Sequence, residues 1–145
     1  MQVIVIVILV GLVGGTAVGL QGPLSSMIGQ RLGVLESIFI IHFGGAIFSA
    51  IPLLLAQGGK LAQWQSVPWY ALGAGVLGLV VIGAINYTIP RSGATITVIL
   101  VVIGQIIISL LIDHFGLFGT QVRQIDLTRL LGIAIVFVGV WLVIR

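Results

Sequence analysis

The sequence predicts an all-α membrane protein with five transmembrane helices in a single domain, residues 1–145. Three observations carry that reading. Charged side chains make up only 6% of the chain and hydrophobic ones 59%, whereas a soluble domain carries about a quarter charged residues. Apolar stretches near 2–29, 36–57, 67–88, 92–113 and 127–144 match the ~20 helical residues that cross a bilayer. Aromatic side chains collect where those stretches end, Trp64, Trp69 and Tyr70 toward one interface and Tyr87 and Trp141 toward the other, as interfacial belts do.

The first span has no basic side chain before its apolar run, and Gly22-Pro23 makes a poor cleavage site, so it reads as a retained helix and not a signal peptide. Gly11, Gly15 and Gly19 recur every four residues, a ridge that lets another helix come close in lipid. Pro23 crowds the carbonyl four residues back, which predicts a kink, with Gln21, Ser25 and Ser26 at hand to satisfy the freed group. Gln21 is also a candidate substrate contact, because an amide without a partner in hydrocarbon is costly. Arg31-Leu32-Gly33 separates the first and second spans.

The second span opens at Glu36, a favourable place for a carboxylate because of the helix dipole. His42 lies two turns further on, and an ionisable group inside a span is a functional candidate by default. Gly58-Gly59 ends this helix, and Ser66 and Pro68 suit the start of the third. The third span carries Gly73, Gly75, Gly78 and Gly83 for packing and reaches Asn86, a second amide candidate. "TIPRSG" joins it to the fourth around Pro90.

In the fourth span Thr97, Val101, Gln105, Ser109 and Asp113 recur every four residues, a stripe that drifts slowly around the helix. Such polar groups should face protein or a wet cavity, which makes Gln105 and Ser109 substrate candidates. Asp113 and His114 mark the water boundary. Asp126 is a plausible N-cap for the fifth span. That span is smooth and apolar, with Gly132 and Gly139 on a packing face, and it reads as an interface or lipid-facing helix outside the site.

Five spans put the termini on opposite sides. Lys60, Arg123 and Arg129 fall on one side, Arg31, Arg91 and Arg145 on the other, so the Lys/Arg imbalance that sets orientation is missing. Either a weak cue still decides, or the protein inserts both ways and pairs antiparallel. The basic residues form no patch for nucleic acid. There is no cysteine, which excludes disulfides and thiolate chemistry. No phosphate-binding loop, metal-spaced His or carboxylate pair, or serine with a base is present. The chain is therefore not expected to be an enzyme or to hold a metal or cofactor.

The stretch "IPRSGATITVILVVIGQIIISLLIDHFGLFG", with its Gly104-Gln105 pair and its Ile112-to-Gly116 end, resembles the YdcZ-type family of small bacterial membrane proteins in the drug/metabolite transporter superfamily. The closing "RLLGIAIVFVGVWLV" is similar too, and "GLQGPLSSMIGQRLG" matches the family's first-helix glutamine. The family's usual asparagine after it is replaced around Pro23-Leu24. The resemblance implies a half-size transporter in the bacterial inner membrane, paired as an antiparallel homodimer, with spans one to four forming the substrate chamber and the fifth a dimer contact. It tips the charge tie toward dual topology and names no substrate.

Small multidrug exporters of that superfamily use a mid-membrane glutamate in their first helix for proton exchange. No carboxylate occurs between Met1 and Leu35 here, so proton coupling would fall to His42 or Glu36. The expected function is secondary-active or facilitative export of a small polar solute by alternating access across a homodimer, with lipid and solute as partners. The rivals are a small dual-topology ion channel and a non-transporting membrane scaffold.

Overall fold

The computed structural model describes residues 2–145 and is helical along nearly all of them. The helices are α1 (Gln2–Leu32), α2 (Val34–Leu55), the short α3 (Trp69–Leu72), α4 (Ala74–Phe115) and α5 (Leu127–Ile144). Turns of 3-10 helix cover Leu61–Ser66 and Leu117–Gly119. Among the described residues, four segments are long and apolar enough to cross a membrane: α1, α2, the run Trp69–Phe115 and α5.

The third of these, at 47 residues, would measure ~70 Å as one rod, more than twice the ~30 Å hydrocarbon core. It is not one rod. Gly93 stands at φ 82°, ψ 165°, a region essentially closed to residues with a Cβ. It divides α4 into a first rod ending at Ser92 and a second starting at Ala94, each about one bilayer long. The connection expected at "TIPRSG" has thus shrunk to a single glycine, with Pro90 inside the helix.

The turn between α1 and α2 is equally short. Gly33, at φ 119° and ψ 157°, is the only residue between them. Its N–H donates to the Gly29 carbonyl at 3.0 Å and its carbonyl accepts from Ser37 N–H at 3.1 Å. One backbone ladder therefore runs on into the next, and both helices extend past the bounds expected from sequence.

At the far end of α2 the expectation shifts by two residues. The first of three positive-φ positions is Gln57 (φ 53°), followed by Gly58 (φ 78°) and Gly59 (φ 53°). Gly58 N–H donates to Leu53 O at 2.8 Å and Gln57 N–H to Leu54 O at 2.9 Å, the paired bonds of a Schellman cap. Ser66 does not start the next helix; its hydroxyl turns back to Gln63 O at 2.8 Å, and Pro68 holds the N-cap position of α3. Asp126 caps α5 as expected, its carboxylate accepting from Arg129 N–H at 2.7 Å.

The chain forms two compact units, Met1–Arg91 and Ser92–Arg145. In the first, the core is mostly polar: Ser25, Ser26 and Ser37 are fully enclosed, and Ile82, Ile85 and Asn86 nearly so. The aliphatic side chains along Val3–Leu20 are exposed. This inverts the soluble pattern for a physical reason. Lipid accepts apolar side chains as readily as a protein core does, so close packing falls to small residues and to the polar groups lipid rejects. Accordingly a Cβ built on Gly22 would touch Ile89 and Ile85 at 3.5 and 3.7 Å, and one on Gly83 would touch Ile38 at 3.7 Å.

In the second unit the loop after α4 folds back on the helix end. Arg123 N–H donates to Asp113 O at 2.8 Å, and Ile125 N–H to His114 Nδ1 at 3.3 Å. Two span ends carry stacked basic and aromatic side chains, Arg91 at 3.7 Å over Tyr87 and Arg145 at 5.2 Å over Trp141. Such pairs suit the interface, where rings and cations both reach water.

Candidate functional site

Two polar places stand out, one in each unit. The first joins α1, α2 and the first rod of α4. Ser37 Oγ donates to the backbone carbonyl of Ser25 at 2.8 Å, and Ser25 Oγ donates to Asn86 Oδ1 at 2.8 Å. The two hydroxyls also lie 3.2 Å apart. Each hydroxyl has one proton to give, so those two donations use both. Asn86 Nδ2 is then left as the buried side-chain donor without a partner among the described residues. It lies against Gly29, where a Cβ would come within 3.0 Å of it.

The serines therefore do not serve the carbonyl freed by Pro23, as the sequence suggested. Ser25 reaches across to α4, and Ser26 accepts from Gln30 Nε2 at 3.1 Å. Helix α1 continues through Pro23. Gln21 is exposed on a stretch whose buried residues are Gly22, Ser25 and Ser26, so it stays out of this cluster.

His42 is half-buried and meets the same rod of α4, two turns or ~12 Å along it from Asn86. Its Nδ1 lies 2.8 Å from Ile38 O. A carbonyl only accepts, so Nδ1 carries the proton of this bond and Nε2 is the ring nitrogen turned toward α4. That nitrogen sits in the notch left by Gly78, where a Cβ would come to 2.6 Å. Glu36 is exposed in the first turn of α2, beside Gly33, in a shallow groove with Leu32, Leu35, Phe39 and Ile40.

The second place is a groove of about 420 Å³ between the second rod of α4 and α5. Gln105, Ser109 and Asp113 line one wall, Arg129 and Gly132 the other, with Val102, Ile106, Leu110, Ile133 and Val136 between. Three of the five members of the stripe thus share one surface. Thr97, a fourth, is buried, 3.3 Å from the Ser92 hydroxyl. The other wall is supplied by α5, the helix read from the sequence as an interface or lipid-facing one.

Of the five substrate candidates, Gln105 and Ser109 share this groove, while Asn86, His42 and Gln21 occupy three separate settings in the other unit. Sequence reasoning missed Ser37, whose neighbour Glu36 made the region look like an ordinary helix start. It also missed Arg129, which looked like a simple end charge. A polar residue three or four places after a helix-breaking glycine is the signal that would have singled out Ser37.

Among the described residues, Gly11, Gly15, Gly19, Gly132 and Gly139 meet nothing within 4 Å of a built Cβ. Within the chain, close approach instead involves Gly22, Gly29, Gly78 and Gly83. The described residues contain no group of His, Cys, Asp or Glu placed to hold a metal ion.

Residues 6–142 match the model of the family described as "Putative inner membrane exporter, YdcZ". No curated protein and no solved structure matches the chain.

Proposed function

The chain belongs to the YdcZ family, an inner membrane family with a transporter role and not an enzyme family, and from that premise we propose that it exports a small polar solute by alternating access, as an antiparallel homodimer. The α4–α5 groove is the solute site. One observation carries this reading: Gln105 and Ser109 open onto the same groove, whose remaining surface is largely aliphatic. An amide and a hydroxyl in apolar surroundings are costly unless a polar ligand meets them, and a few placed polar groups on an apolar wall are the usual make-up of a ligand site.

The dimer draws support from the even spread of Lys and Arg between the loops and from the glycine ridge Gly11, Gly15 and Gly19 on α1, which meets nothing within 4 Å among the described residues. Small residues at such spacing let helices approach in lipid. His42 is the candidate for proton coupling, because it lies well inside α2 with one ring nitrogen engaged only by its own helix. Glu36 sits in the first turn of α2, where the helix dipole already accounts for a carboxylate.

The chain's lack of cysteine makes the test direct. A single cysteine at Ser66, labelled in intact cells with an impermeant thiol reagent, should react to about half its full extent if loop charge leaves orientation undecided. Labelling from one side alone would overturn the antiparallel pair. In liposomes the parent should move members of a panel of small polar solutes saturably, and Gln105→Leu should assemble normally with that flux lost. Unsaturable conductance would mean a channel, and full flux in Gln105→Leu would remove the groove from the path.

A further inference from the structure

The groove between α4 and α5 carries one charge of each sign, and they are not spent on each other. Asp113 stands on the α4 wall and Arg129 on the α5 wall, and among the described residues neither forms an ion pair. Both are held in place from the same loop. Arg129 Nη1 donates to Arg123 O at 3.2 Å, while Arg123 N–H donates to the backbone carbonyl of Asp113 at 2.8 Å. The guanidinium has five donors, and only one is engaged in this way. The Asp113 carboxylate accepts no hydrogen bond among the described residues.

Opposite charges on facing walls invite a ligand that bridges them. From this geometry we infer that the groove selects a zwitterion with an apolar portion, its ammonium against Asp113 and its anionic group against Arg129. The apolar portion lies past Ser109 along Ile106 and Ile133, toward Gln105. A zwitterion has no net charge, as the pair has none, so entering the groove leaves no unbalanced charge in the membrane. The volume of about 420 Å³ is that of a site for a small molecule. This inference rests on the reading of the groove as the solute site and adds the chemical class of the solute.

The test uses the full-length protein in liposomes with a single cysteine at Ile133, on the groove wall. Three probes share one alkyl chain and differ in head: 2-aminooctanoate (zwitterion), 2-aminooctane (cation) and octanoate (anion). The zwitterion should protect the cysteine from labelling at concentrations at least ~10-fold lower than either single charge, since each charged hydrogen bond lost costs that much or more.

Asp113→Asn should abolish the preference over octanoate, and Arg129→Gln the preference over 2-aminooctane. The double exchange Asp113→Arg with Arg129→Asp keeps one charge of each sign on the two walls and should restore the preference for the zwitterion, which guards against a single variant that merely folds poorly. Equal protection by all three heads would overturn the inference while leaving the groove as a solute site. No protection by any probe would overturn both. Protection that follows the phosphatidylethanolamine content of the vesicle, or the protein-to-lipid ratio, with no effect of probes, would mean that a lipid or a second copy fills the groove, and the inference fails.

Discussion

Ser25→Ala and Asn86→Leu should differ in effect, although each removes one end of the same 2.8 Å hydrogen bond. In Ser25→Ala the Asn86 oxygen loses its donor while its nitrogen stays unpartnered, so a buried amide is left with neither end met. The cost of orphaning a buried polar group is ~1–3 kcal/mol, and hydrogen bonds between membrane helices run from ~0.6 to ~1.7 kcal/mol. A loss of ~1–2 kcal/mol follows from the overlap of those ranges. The Ser37 bond does not change, because it goes to the backbone carbonyl of Ser25.

In Asn86→Leu the unpartnered N–H leaves with the amide. The Ser25 hydroxyl then turns its proton across the 3.2 Å gap to Ser37 Oγ, and a leucine of similar volume lies against the open face of Gly29. Nothing is left orphaned. The variant should fall within ~0.5 kcal/mol of the parent or be more stable, and the double variant should recover most of what Ser25→Ala loses. Reversible unfolding in mixed micelles, followed by circular dichroism as the SDS fraction rises, would read these differences. If Asn86→Leu costs more than ~2 kcal/mol while Ser25→Ala is neutral, the amide nitrogen has a partner and the proton assignment fails.

The same assay separates two glycines. Gly78→Ala drives a methyl to 2.6 Å from His42 Nε2, and the ring is tethered at its other nitrogen. It should cost ~1–3 kcal/mol, as overpacking does. Gly22→Ala makes only ordinary contacts at 3.5 and 3.7 Å and gains up to ~1 kcal/mol of helix propensity; the reverse order would refute the packing described. Asp126→Ala should lose ~1 kcal/mol with the cap, and Asp126→Asn should keep most of it. Equal losses in both would mean that the carboxylate acts by charge and not as a cap.

What was legible in the sequence was what a short window decides. The membrane class follows from composition and the spans from contiguous apolar length. The breaks near Gly33, Gly58 and Gly93 and the cap at Asp126 were foreseeable because backbone geometry and capping depend on a few neighbouring residues. The shared surface of Gln105, Ser109 and Asp113 followed from a repeat of four in a helix. Gly104-Gln105 and the Ile112-to-Gly116 end also led to the family that residues 6–142 match.

The tertiary structure decided which polar groups leave their own helix. Thr16, Ser49 and Thr88 satisfy their hydroxyls on carbonyls three or four residues back, whereas Ser25 reaches Asn86 across 61 positions of chain. Any helical serine or threonine has both options, and lipid supplies no hydrophobic gradient to mark the face that packs. Only the approach of a second backbone chooses between them. That approach sets Asn86 against Gly29 and His42 against Gly78, and it brings Arg129 of α5 to the groove lined by Asp113.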